Sequence, residues 1–172
     1  MNLIIEELNK NTHNRQLFDC GVEPLNTFLK LHANQNQQKN ISKTFVAVLS
    51  QDNQNPKTII SYYTLSSGQL LLDQLPAAMQ TTLPKHPVPI ARIARLAVDK
   101  NHHGQGVGSY LLYHALNTIL DISKKIGIYA VVVDAKDNTA KSFYKKYGFA
   151  ALHESELTLF LPMTTLKSVH EN

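Results

Sequence analysis

His102-His103-Gly104-Gln105-Gly106-Val107-Gly108-Ser109-Tyr110-Leu111-Leu112-Tyr113-His114 runs a glycine-rich turn straight into an amphipathic helix. The residues before it, Arg92-Ile93-Ala94-Arg95-Leu96-Ala97-Val98, read as a strand. A strand, a glycine turn and a helix N-terminus together hold an anion through backbone N–H groups. Glycine at 104, 106 and 108 lets the turn take positive φ and lets a ligand meet backbone rather than a Cβ. The first turn of the helix adds N–H groups without partners inside the helix, backed by its dipole. A pyrophosphate suits both.

The spacing separates several nucleotide sites. A Walker A loop needs Gly-Lys-Ser/Thr, and here Gly108 meets Ser109 with no lysine between them. A dinucleotide fold needs G-x-G-x-x-G, with the turn following the first strand of a βαβ unit. This turn is G-x-G-x-G and lies past the middle. A tight turn that binds nothing stays open on the motif alone.

Working outward, Val107, Leu111, Ala115, Ile119, Ile122 and Ile126 recur on one face of a long helix. Lys124 and Lys125 suit its negative end and Gly127 can close it. Ile128 to Val133 is almost wholly apolar, as a strand covered on both faces requires. Asp137 or Asn138 can cap a second helix, with Ala140, Phe143, Tyr144 and Tyr147 along one side and Gly148 at its end. Leu157, Leu159 and Leu161 mark a final strand.

Upstream, Gly21-Val22-Glu23-Pro24 opens a helix through Leu25, Phe28, Leu29 and His32, and Ala33 to Asn40 reads as its frayed end and a loop. Phe45 to Leu49 and Thr58 to Leu65 form a hairpin. Leu70 to Met79 holds a short helix, and Pro84, Pro87 and Pro89 force an extended approach to the next strand. The pattern predicts an α/β domain over residues 1–172, a mixed sheet with a parallel strand pair at its centre and helices beside it.

Composition narrows the class. Of 172 residues, 43% are apolar and 17% charged, enough for a core without metals or disulfides. The lone Cys20 has no intramolecular partner and reads as a small buried residue, so a reducing, cytoplasmic location is expected. No apolar run approaches a membrane span. Met1 to Lys10 carries Glu6 and Glu7 and lacks a basic start, so no secretory signal is expected. The net charge of +4 leaves room for a nucleic-acid partner. Eight histidines occur without H-E-x-x-H or a Cys/His cluster, so no metal is expected.

His103-Gly104-Gln105-Gly106-Val107-Gly108 resembles the Q/R-x-x-G-x-G/A acetyl-CoA signature of the GNAT acetyltransferases, with His103 in place of the usual Gln or Arg. Leu96-Ala97-Val98 and the run Asn138 to Phe149 resemble the same superfamily. With Cys20 to Asn26 and Arg95 to Asp99, the likeness narrows to the TacT/AtaT-like toxins of bacterial toxin–antitoxin modules. The resemblance implies a GNAT sheet whose central parallel strands splay. It also implies N-acetylation of the α-amine of aminoacyl-tRNA with acetyl-CoA, which blocks translation. A ribbon-helix-helix antitoxin and a homodimer are implied partners.

The roles follow the resemblance residue by residue. Leu96, Ala97 and Val98 offer backbone to the acetyl carbonyl and the pantetheine arm. His103, Gly104, Gln105, Gly106, Val107, Gly108 and Ser109 take the pyrophosphate, and Asn138 contacts the coenzyme. Tyr144 protonates the leaving thiolate, a phenol being neutral and able to donate at neutral pH; helical spacing with Phe143 and Tyr147 alone would make it a packing residue. No side chain stands out as base for the amine, which in an aminoacyl ester is already weakly basic. Arg92, Arg95, Lys141, Lys145 and Lys146 are the cations for tRNA phosphates. Tyr62, Tyr63 and Tyr113 could stack a base, though packing suits them better. A GNAT enzyme of small-molecule or protein amines, and a CoA-binding module without turnover, remain alternatives.

Overall fold

The apolar run after the long helix forms a strand whose residues 130–133 are fully buried. It sits in a sheet of mostly antiparallel strands. The structure, a computed structural model, describes residues 1–171. The strands are β1 (Leu3–Glu7), β2 (His13–Asn14), β3 (Lys43–Leu49), β4 (Lys57–Thr58), β5 (Ser61–Leu70), β6 (Val88–Val98), β7 (Ala130–Asp134), β8 (Ala150–Leu152) and β9 (Ser155–Pro162). The helices are α1 (Glu23–Thr27), α2 (Ala33–Gln38), α3 (Ala77–Gln80), α4 (Val107–Ser123), α5 (Asn138–Lys146) and α6 (Met163–His170). A π-helical turn, Phe28–His32, joins α1 to α2.

Seven strands pair in the order β1-β3-β5-β6-β7-β9-β8. β6 and β7 run parallel from Ile90↔Ala130 to Ile93↔Val133. Pairing stops there, while β6 continues to Val98 and β7 ends at Asp134. The expected hairpin is present, with β3 antiparallel to β5 from Lys43↔Leu65 to Ala47↔Ser61.

The chain divides into two compact units: residues 1–66 with 94–115, and residues 67–93 with 116 onward. The first has a core of Leu8, Phe18, Phe28, Leu29, Val46, Val48, Ile59, Tyr62 and Ala97, with Cys20 buried among them. The second packs Leu70, Leu75, Val88, Ile90, Ala130, Val132, Leu152 and Phe160.

Several elements differ from the sequence reading. Ala33–Gln38 is helix, with Ala33 fully buried. Its anchor is Gln37, whose amide donates to the Leu8 carbonyl at 2.8 Å and accepts the Thr44 N–H at 3.0 Å. A polar side chain that serves two backbone groups looks, in sequence, like loop composition. The long helix stops at Ser123, and Ile122 and Ile126 are exposed, so the buried stripe ends at Ile119. Gly127 takes no positive φ and closes nothing. Tyr62 and Tyr63 are fully buried and cannot stack a base, whereas Tyr113 is exposed. β1 and α6 carry no strong periodic signal and were not expected.

Candidate functional site

In the first unit, β6 leads through the 3-10 turn Lys100–His102 into the glycine segment. Gly104 has φ +72 and Gly106 has φ +79, and a Cβ built on either meets nothing within 4 Å. Backbone conformation that excludes ordinary side chains, beside open space, is what an approaching phosphate needs. Gly108 already lies in α4, whose first backbone bond joins the Tyr110 N–H to the Gly106 carbonyl at 3.1 Å. Val107 is buried and anchors the helix start, so only its backbone can face a ligand. Ser109 is half-buried beside it.

Two braces hold this turn. His103 Nε2 lies 2.7 Å from the Val98 carbonyl. A carbonyl only accepts, so Nε2 carries the proton. The ring therefore closes the turn onto the end of β6. Gln105 Nε2 donates to the Asn101 carbonyl at 3.2 Å. The second brace is Asp99, buried at 7% exposure. Its carboxylate accepts the N–H of Asn101 at 2.9 Å, the Asn101 amide at 3.0 Å and the N–H of Asp19 at 3.1 Å. Asp19 in turn accepts from Gly21 N–H, Asn26 Nδ2 and Lys100 Nζ. These donors, the lysine first, hold the Asp19 carboxyl well below the usual carboxylate range.

Along β6, Ala97 is buried, while Leu96 and Val98 are half-exposed. Arg95 lays its guanidinium over the Phe28 ring, 3.6 Å from the centroid.

In the second unit, Asp137 caps α5 by accepting the Ala140 N–H at 2.8 Å, which makes Asn138 the first helical residue, exposed. Tyr144 sits on the buried side of α5 at 7% exposure. Phe143 and Phe149 meet its ring edge-on at 5.2 and 5.6 Å. Gly148, at φ +93, ends the helix and returns Phe149 to that ring. Burial, and then the charge of Asp134, push the Tyr144 phenol up to about 12. Asp134 accepts from Arg92 at 2.7 Å and from the Thr158 hydroxyl at 3.1 Å. Arg92 thus already holds a carboxylate, a partner the sequence did not announce. On α5, Lys141 is half-buried and Lys145 and Lys146 are exposed. Lys146 lies 5.9 Å from the Tyr147 ring centre.

Among the described residues no three His, Cys, Asp or Glu gather as a metal site. Among them, too, no helix is long and apolar enough to cross a membrane.

The comparison with known proteins fits this arrangement. Residues 68–151 match the family described as an acetyltransferase (GNAT) domain. A probable toxin TacT of Sinorhizobium fredii is 31% identical, over 96% of this chain and 94% of its own. The chain belongs to the TacT family of GNAT acetyltransferases. Another relative of this TacT-family chain, a tRNA-acetylating toxin of Mycobacterium tuberculosis, is 29% identical over 88% of this chain and 87% of its own. Among solved structures, AtaT complexed with acetyl-methionyl-tRNAfMet superposes with a TM-score of 0.89 at 31% identity, covering 98% of this chain and 99% of that one. A Tyr-to-Phe variant of AtaT, bound to acetyl-CoA and the C-terminus of the antitoxin AtaR, gives 0.83 at 29% identity, covering 100% of each.

Proposed function

We propose that this TacT-family chain is a toxin that moves the acetyl group of acetyl-CoA to the α-amine of aminoacyl-tRNA and so stops translation. The observation that carries the donor side is the pair of positive-φ glycines, 104 and 106, open to solvent at the start of α4. The acceptor side is supported by the AtaT relative seen with acetyl-methionyl-tRNA.

The chemistry assigns tasks to residues. The pyrophosphate lies on the backbone of Gly104 to Ser109, with Asn138 as a further coenzyme contact. His103 joins this cradle, with its ring braced on the Val98 carbonyl. The N–H groups of Leu96, Ala97 and Val98 stabilise the oxyanion that develops on the acetyl carbonyl. The amine adds to that carbonyl and loses a proton, and the C–S bond breaks with its electron pair on sulfur. Tyr144 serves the departing sulfur. At about 12 its phenol stays protonated at every physiological pH. An ordinary thiol titrates near ~8.5, so full transfer from phenol to thiolate runs uphill. The hydroxyl therefore works first as a hydrogen-bond donor to the charge growing on sulfur, and the net proton reaches sulfur from the amine by way of solvent. Lys141, Lys145 and Lys146, with Arg92 and Arg95, supply positive charge for tRNA phosphates.

The family match takes residues from both compact units, which supports one working domain over residues 1–172. Action on tRNA supports a cytoplasmic location. A ribbon-helix-helix antitoxin is the proposed protein partner, supported by the AtaT–AtaR complex, and a homodimer the proposed assembly.

The test is incubation with labelled acetyl-CoA and a pool of charged tRNAs. Label on the aminoacyl α-amine is expected. Label confined to small amines or proteins, or none transferred, overturns the reading.

A further inference from the structure

Arg95 differs from the other two arginines, Arg15 and Arg92, which donate to the Lys30 carbonyl and to Asp134. Its guanidinium is half-buried, yet among the described residues it makes no hydrogen bond and no ion pair. Arg92 holds Asp134, and Lys100 holds Asp19 at 2.7 Å. Arg95 instead rests on an aromatic floor that is itself fixed. Phe28 is 4% exposed and stacks at 6.4 Å on Tyr62, whose hydroxyl donates to the Leu25 carbonyl at 2.7 Å. Phe18 meets Tyr62 edge-on at 5.4 Å. Burial pulls the guanidinium below its ordinary value, and the one titratable group acting on it is the Tyr62 phenol rather than a carboxylate.

A second observation concerns the floor. Phe28 opens the π-helical turn Phe28–His32, closed by the Ala33 N–H on the Phe28 carbonyl. Such turns are rare and are frequent at functional sites. Here the turn delivers a ring to the underside of an arginine that, among the described residues, has no hydrogen bond or ion pair.

A planar fork of five N–H donors, partly out of water and pinned on one face, matches a phosphate bidentately. It also directly precedes Leu96, the first of the backbone groups assigned to the acetyl carbonyl. An aminoacyl ester on a terminal ribose is one nucleotide unit from its nearest phosphodiester. We infer that Arg95, seated on Phe28, binds the phosphodiester of the 3′-terminal nucleotide of the acceptor and so positions the aminoacyl amine. This rests on the aminoacyl-tRNA reading above. It differs from a general attraction of basic surface for tRNA, because it assigns one phosphate to one pre-positioned fork.

The probe is the unacylated RNA 5′-ACCA-3′, whose binding is followed against salt for the whole protein and for Arg95→Gln, Arg95→Lys and Phe28→Leu. Loss of one single-strand phosphate contact lowers the slope of log K on log salt by about 0.7. Arg95→Gln is expected to show that drop and at least about tenfold weaker binding, bidentate charge-assisted contacts being the strong ones. Arg95→Lys is expected to recover the slope but not the affinity, because a point charge lacks the fork. Phe28→Leu keeps the core filled and is expected to weaken RNA binding with acetyl-CoA affinity unchanged. Unchanged slope and affinity in Arg95→Gln overturn the inference, even where the parent protein acetylates charged tRNA. An acidic peptide that needs Arg95 while the RNA does not overturns it in favour of a protein carboxylate. RNA binding through Arg95 without acetylation of charged tRNA leaves this contact standing and removes the proposed reaction instead.

Discussion

The Asp99 carboxylate accepts the backbone N–H of Asp19 at 3.1 Å, across 80 residues of sequence. It ties the segment that opens α1 to the residue that starts the glycine turn. Asp99→Ala removes the acceptor for three part-buried hydrogen bonds, and each such bond is worth about 0.5–1.5 kcal/mol. Urea unfolding should register that loss. KM for acetyl-CoA should rise as the turn loosens, with kcat little changed, because Tyr144 is untouched. Asp99→Asn keeps one oxygen for Asn101 and should lie between. Equal stability and equal KM in all three proteins would remove Asp99 from the turn's support.

At Gly106 a Cβ has room in the protein but sits on φ +79. Gly106→Ala should therefore fold, at a conformational cost of about 1–2 kcal/mol. The methyl group would stand where phosphate is proposed to approach, so acetyl-CoA affinity should fall about tenfold or more, and Gly106→Val should abolish binding. Calorimetric titration reads both. Coenzyme affinity equal to that of the parent would refute the phosphate cradle.

Tyr144→Phe keeps the ring against Phe143 and Phe149 and removes the donor. Acetyl-CoA binding should persist while turnover drops about 10²–10³-fold, the range for losing one donor to a developing charge. The phenol also predicts an alkaline effect on stability. Its folded pKa lies above the unfolded value of 10, so the folded state favours the proton. The contribution is full below pH 10 and is lost as pH rises toward 12. The variant should thus lose less stability than the parent between pH 10 and 12. Parallel curves would mean that the buried phenol is not the titrating group.

Asp19 and Glu6 both titrate below their ordinary values. For Asp19 the Lys100 ammonium leads, and for Glu6 Lys57 and then His13. A depressed carboxylate stabilises the fold above its unfolded pKa, and the stability is lost as pH falls through the folded value. Stability should hold flat down to about pH 4 and fall below it. Asp19→Asn should be less stable at neutral pH and show a shallower acid limb in denaturant titrations. An acid limb as steep as the parent's would place the transition elsewhere.

The sequence made the glycine turn, the buried β7 run and the helix with Tyr144 legible, because each carries its signal locally. Glycines punctuate the turn, four apolar residues in a row need cover on both faces, and Gly148 stops α5. What stayed hidden depends on distant partners. Ala33–Gln38 is helical because Gln37 reaches Leu8 and Thr44, which its own neighbours do not reveal. Asp137 rather than Asn138 is the cap, a choice decided by a single bond to Ala140. Arg92 looked like a free cation until Asp134, 42 residues away, met it. His103 occupies the motif's first position, and the contact of its Nε2 with the Val98 carbonyl was equally hidden.

The π-helical turn has one more implication. By reaching back five residues instead of four, the Ala33 N–H absorbs a surplus residue into the helix. Helical residues step by about 100° around the axis, so deleting one from the turn would swing everything before it by that angle relative to α2. Phe28 would leave the underside of Arg95, though every side chain that makes the contact would still be present. The length of this segment, counted in residues, thus sets its aim, and a shortened chain could keep its composition and its fold yet leave Arg95 without the ring beneath it.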